Sequence, residues 1–196
     1  MTKYIGYVDV PHGSYAEWKA ATNGNGYDID GSYGCQCWDF ASIFWRNLGF
    51  PAGYPIITSS SAYTMWENRL ANQILNGTII FDLITNINDI KQGDVIVFNY
   101  NSSNPYGHVG FADVDYASWT PDPLQPFEFP ILSENNGGTP DPSGGAYVNV
   151  HGYDLRLFLG AFRYKGWETT PITRPKQIPQ SKFPWAIYAR KLRYKR

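Results

Sequence analysis

Cys37, Phe40, Ala41, Phe44, Trp45 and Leu48 recur at i, i+3, i+4, i+7, i+8 and i+11. That spacing lays them along one face of an α-helix, and Gly49 with Pro51 ends it. Two more helices are expected beside it. One runs from Ser14 to Ala21, with Ser14 as N-cap and Glu17 in the capping-box position. The other lies within Ser59 to Asn72, with Ala62, Met65, Trp66 and Leu70 turned inward. Between the first two, Thr22 to Gly34 is rich in Gly, Asn and Asp and reads as a structured loop. The character then changes. Val95 to Tyr100, His108 to Val114, Phe129 to Glu134, Ala146 to Tyr153 and Leu157 to Tyr164 are short β-rich runs punctuated by Gly, Asn and Pro. Helices followed by an antiparallel set of strands define an α+β chain. Tyr116 to Pro130, with four prolines, is a long insertion between two of these strands, either a functional rim or a surface excursion.

The chain of 196 residues is long enough for one domain of ordinary size, or one domain and a tail. A domain over 1–165 and a Pro-rich basic arm or linker over 166–196 fit the composition. After Glu168 no acidic residue occurs, whereas Lys182, Arg190, Lys191, Arg193, Lys195 and Arg196 crowd the end. Such an arm is a solvated tail, or it contacts an anionic polymer or a partner chain. The net charge of -1 gives no electrostatic reason to expect a nucleic acid partner. Two cysteines spaced C-x-C are not a disulfide framework. The start Met-Thr-Lys-Tyr lacks a signal-peptide pattern, and no apolar run approaches a membrane span, so synthesis as a soluble cytoplasmic protein is expected.

The chemistry-bearing pattern is a cysteine at a helix start and a histidine on a later strand. Unpaired N–H groups and the helix dipole favour a thiolate at Cys37, so a lowered pKa is expected. His108 beside it could act as general base. Cys37 alone reads as readily as a small buried hydrophobe, and Cys35, with the same chemistry, is given no catalytic role. Gly34 and Gln36 around the thiol, and Gly107 and Gly110 around the imidazole, leave little bulk to shield either group. A third group should orient the imidazole. Glu134, at the end of a predicted strand, is the first choice, with Asn136 as an oxyanion donor or supporting group.

Gln36-Cys37, Gly93-Asp94 through Phe98, Gly107-His108-Val109 and Glu134-Asn135-Asn136 occur in that order. Together they resemble the CHAP family, the cysteine- and histidine-dependent amidohydrolases and peptidases, over roughly Ser14 to Tyr164. The resemblance implies a papain-like fold, related to the NlpC/P60 type, with N-terminal helices packed on an antiparallel sheet. It implies cleavage of an amide bond in bacterial peptidoglycan, by an N-acetylmuramoyl-L-alanine amidase or a peptide endopeptidase. Carried over, Cys37 attacks the carbonyl, His108 moves the proton, and the Cys37 N–H with the Gln36 region holds the oxyanion. The extra Cys35 departs from many relatives and adds an oxidation partner for Cys37.

Asp28 to Asp39 is a twelve-residue window with oxygen-bearing side chains at positions 1, 3, 5 and 12. An EF-hand-type loop uses these and a backbone carbonyl at position 7. The calcium set would be Asp28, Asp30, Ser32, the Gly34 carbonyl and Asp39. Glycine stands at position 4 rather than 6 and the last ligand is Asp rather than Glu, so an Asp-Gly turn with solvated acids reads equally well on spacing. Some CHAP lysins hold calcium in this loop, which the resemblance extends to this chain. A zinc site from Cys35, Cys37 and His108 lacks an obvious fourth ligand beyond His12 or His151.

These readings converge on a phage lysin acting on the cell wall, either an endolysin released through a holin-made pore or a part of the virion. The arm would then contact a tail protein or the wall. The rival is a non-catalytic wall-binding or tail module on the same fold, with Tyr27, Tyr33, Tyr106, Trp119 and Trp167 stacking on sugars.

Overall fold

The computed structural model describes residues 1–168. Its elements run β1 (Lys3–Ile5), α1 (Tyr15–Thr22), β2 (Gly26–Asp28), α2 (Cys37–Asn47), α3 (Thr64–Glu67), α4 (Arg69–Asn72), β3 (Ile74–Leu75), β4 (Thr78–Ile79), β5 (Phe81–Ile84), β6 (Val95–Phe98), β7 (His108–Ala112), β8 (Glu128–Ser133), β9 (Asn149–Asp154), β10 (Phe158–Tyr164) and α5 (Lys165–Glu168). Six strands form one sheet in the order β5-β10-β6-β7-β8-β9, every pairing antiparallel. β1 pairs in parallel with β2, and β3 with β4 makes a small hairpin.

Strand alternation explains why the sheet is buried on both sides. Val95 and Val97 of β6, Val109 and Phe111 of β7, Leu132 of β8 and Phe162 of β10 share a core with Trp18, Phe40, Phe44 and Trp45. Ile96, Phe98, Ala112, Phe129, Ile131 and Ala161 face a second core with Ile90 and Leu155. Helix α2 lies on the first face, against β7 and β2. Its aromatic stripe stacks Trp45 on Phe81 (4.6 Å) and sets Phe44 edge-on to Phe111 (5.1 Å). The Asp of the Gly93-Asp94 pair is structural: Arg163 of β10 grips its carboxylate at 2.9 and 2.7 Å in the interior.

The first helix starts where expected, with the Ser14 hydroxyl accepting the Glu17 N–H at 3.2 Å. The third differs. The single helix expected within Ser59 to Asn72 is two short ones, because the chain leaves helical geometry at Asn68. Met65 and Ala62 are buried as expected, but Leu70 is 63% exposed. α4 is tied down instead by buried Asn72, whose amide bonds Ile56 and Met65. The loop expected over Thr22 to Gly34 contains β2, and β1 and β5 were likewise without a strong sequence signal. Trp167, at the start of the expected arm, packs on Phe44 and donates its indole N–H to the His12 carbonyl at 2.8 Å. From residue 169 the arm, with its basic cluster, lies outside the described residues.

Candidate active site

Cys37 is the first residue of α2, and only 9% of it is exposed. Burial pushes its thiol up to about 12, and the Asp39 and Glu134 charges push the same way. The N–H groups of Val109 and Trp38 oppose this. The lowered pKa expected from the helix start is therefore not found: desolvation outweighs the helix terminus. Contact with the Val109 N–H places the thiol beside the residue that follows His108.

His108 opens β7 opposite Phe98 of β6 and is 2% exposed. Burial alone lowers its pKa to about 3, so the imidazole rests neutral, and its Nε2 has no partner. The expectation that flanking glycines leave both groups open is also corrected. A Cβ on Gly107, which has φ 68°, would stand 2.6 Å from the Phe98 carbonyl and 2.8 Å from Tyr63 Cβ. One on Gly34, with φ 74°, would stand 2.2 Å from the Gly144 carbonyl. These glycines are where other segments press against the site, and that close packing is why they are needed.

Glu134 is fully buried at the end of β8, and burial raises its pKa well above the usual carboxylate range. Its Oε1 accepts the Tyr27 N–H of β2, while Oε2 has no partner. Through Oε1 the carboxylate ties down β2. Asn136 is buried with its Nδ2 unpartnered. Its neighbour Asn135, at φ 53°, donates to Gln36 Oε1 at 2.8 Å, and Gln36 Nε2 donates to the Tyr33 carbonyl at 2.7 Å. Asn135 was missed by sequence reasoning, which had weighted only the outer residues of Glu134-Asn135-Asn136. Tyr153 was missed too: its ring lies flat on His108, centroids 4.5 Å apart and planes at 12°. A distant strand carries no local motif that could have marked it.

The carboxylates of Asp28, Asp30 and Asp39 converge, with one oxygen of each lying within 4.8 Å of the others. Asp39 is pushed up to about 8, by burial first and then by the Asp30 and Asp28 charges, against the N–H groups of Gln36 and Ile29. Asp28 Oδ1 is buried without a partner, and its Oδ2 lies 3.1 Å from Lys3 Nζ. An orphaned buried oxygen and mutually repelling acids fit a hard cation with oxygen ligands. Ser32 and Gly34 are in the same loop, where the Ser32 N–H donates to Asp30 Oδ1 at 2.8 Å.

Cys35 turns away from Cys37. Its thiol donates to Asp141 Oδ2 at 3.4 Å, its N–H to the Gly144 carbonyl at 3.1 Å, and its sulfur lies over Gly26. Both cysteines are free. Among the described residues no cluster joins them to a histidine, so the zinc alternative has no site. His12 bonds the Val10 carbonyl, and His151 lies over Gly137. Of the aromatics expected to meet sugars, Tyr27 is buried, Trp119 packs edge-on to Phe129 and Trp167 joins the core. Tyr33 and Tyr106 remain outward, 85% and 61% exposed.

A buried thiol at a helix start, lying against a histidine-bearing strand of an antiparallel sheet, defines the papain-like class of cysteine hydrolase folds. Within that class the chain belongs to the CHAP family, whose domain model matches residues 22–120, half of the chain. The matched segment contains Cys37, His108 and the Asp28 to Asp39 loop, whereas Glu134 and Asn136 lie beyond it. The chain is 40% identical over 160 residues to the D-alanyl-L-alanine endopeptidase of Streptococcus phage B30, an alignment covering 79% of this chain and 31% of that protein. It thus spans about a third of that relative's length. Among solved structures, the wild-type endolysin LysIME-EF1 superposes with a TM-score of 0.52 at 25% identity, over 73% of this chain and 59% of that one.

Proposed function

We propose that this chain is the catalytic part of a phage peptidoglycan hydrolase that cleaves a peptide amide bond of the bacterial wall through Cys37 and His108. The observation that carries this is the Cys37 thiol set against the residue next to a neutral, unpartnered imidazole, in a family whose phage member above is an endopeptidase. That relative's name favours a cut within the peptide over the amidase bond.

Both groups rest uncharged, the thiol protonated and the imidazole neutral. The thiol proton passes to His108 as sulfur attacks the carbonyl, so charge appears as a thiolate–imidazolium pair rather than as two isolated buried ions. The Cys37 N–H at the start of α2 and the unpartnered Asn136 Nδ2 would serve as donors for the oxyanion. His108 then protonates the leaving amine, and water resolves the thioester. Asp28, Asp30 and Asp39, with Ser32 and the Gly34 carbonyl, would hold calcium. Bound there, the ion would neutralise the acids and fix the loop that leads into α2. Tyr33 and Tyr106 are suited to line the substrate approach. The wall is the site of action; docking on a tail protein through the basic arm is a separate proposal about residues 169–196.

The test is digestion of purified streptococcal peptidoglycan by the chain and its Cys37→Ala variant, with calcium and with chelator, the new ends being identified by mass spectrometry. Cys37-dependent cuts at a D-Ala–L-Ala bond are the expected result, and a freed muramoyl lactyl group would make it an amidase. Binding to the wall without fragments would instead favour the non-catalytic module.

A further inference from the structure

We propose that Tyr153 is a positioning residue of the histidine, fixing the ring plane of His108 by stacking. The proposal rests on the hydrolase reading above. Three observations carry it. His108 Nε2 is buried without a hydrogen-bond partner, so no such bond sets the ring plane from that side. The phenol ring of Tyr153 lies nearly parallel to the imidazole at 4.5 Å. Tyr153 is itself held on two sides. Its ring packs on Phe98 at 4.5 Å, and Phe98 is the strand partner of His108. Its hydroxyl accepts from Asn104 Nδ2 at 3.3 Å, and the same amide donates to the Gly107 carbonyl at 2.8 Å.

Asn104 thus ties the stacking ring and the residue before His108 into one unit. A hydrogen-bonded orienter fixes an imidazole through one ring atom. A flat stack fixes its plane instead, and leaves both nitrogens free for the thiol proton and the leaving amine. Tyr153 makes no contact with the reacting bond in this role. It acts through His108, so its loss should lower kcat and leave KM nearly unchanged.

The experiment compares Tyr153→Phe and Tyr153→Leu on purified streptococcal peptidoglycan and by NMR of the His108 ring protons, which a stacked aromatic ring shifts upfield. Tyr153→Phe keeps the stack and should lose no more than about fivefold in kcat, the worth of one neutral hydrogen bond. Tyr153→Leu keeps the apolar volume without the plane. It should lose about 100-fold in kcat and the upfield shift together. A folded Leu variant as fast as the Phe variant overturns the proposal, as does a Phe variant as slow as the Leu one. If Tyr153→Leu does not fold, Tyr153→Met, which also lacks the ring plane, carries the test with the same expected losses, and a folded Met variant as fast as the Phe variant overturns the proposal. Hydrolysis persisting in Cys37→Ala, or no hydrolysis by the wild type, would overturn the Cys37-dependent hydrolase reading alone, because the NMR signature of the stack does not depend on turnover.

Discussion

His108 is buried neutral, and its folded pKa of about 3 lies below the ordinary histidine value. The unfolded chain therefore takes up a proton on this side chain before the folded one does, and stability is lost as pH falls from about 6.5 towards 3. The slope is at most about 1.4 kcal/mol per pH unit from this residue. Asp39 and Glu134 act with the opposite sign, since burial raises both and protonation relieves them as pH falls. His108→Asn keeps those groups and removes the imidazole. Urea midpoints at pH 7 and pH 5 should fall more for the wild type than for the variant. Equal falls would mean that the histidine is not buried neutral. The same reasoning separates what was readable at single residues. Cys37 and His108 stand in short motifs flanked by glycine, and the fold brings the thiol beside the histidine's neighbour. The protonation state of Cys37 was misjudged, because the helix terminus is visible in sequence and the burial of the thiol is not.

The loop between β2 and α2 joins three acids to the start of α2, so its charge balance belongs to the element rather than to one residue. Asp28 and Asp39 are buried, Asp30 is exposed, and Lys3 reaches both Asp28 and Asp141. If calcium fills the cluster, it should raise Tm in proportion to RT ln(1 + [L]/Kd). Asp30→Asn removes one repelling charge. In chelator this variant should melt no lower than the wild type, and it should lose most of the calcium-dependent rise in Tm and activity. A wild-type melting temperature equal in calcium and chelator would remove calcium from the loop. The window was legible because oxygen-bearing residues recur at fixed offsets. What was not legible is that β1, a three-residue strand with no pattern of its own, delivers Lys3 to the same carboxylates. Likewise α3 and α4 broke at Asn68 because polar anchors at Thr64 and Asn72, not an apolar stripe, hold that segment.

At the scale of the whole molecule, the six-stranded sheet is closed by aromatic packing that reaches past β10. Composition placed the domain boundary near residue 165, where the chain turns polar and Pro-rich. Packing extends it: Trp167 contacts Tyr15, Phe44, Phe111 and Tyr164, joining the N-terminal segment, α2 and β7. Its indole also ties the His12 carbonyl. Local composition cannot report a contact made more than 150 residues away in the chain. The consequence is a pair of truncations with different outcomes. A chain ending at residue 168 keeps every contact described for the core and should retain the wild-type Tm and Cys37-dependent hydrolysis. A chain ending at residue 164 loses the partly buried Trp167 side chain, which should cost part of the roughly 3 to 5 kcal/mol of a fully buried tryptophan. Trp167→Ala should reproduce that loss within the full chain. Equal melting of the two truncated chains would place Trp167 with the arm rather than the domain. Loss of hydrolysis at residue 168 with unchanged Tm would assign residues 169–196 to substrate engagement, because Cys37, His108 and their sheet would still be folded.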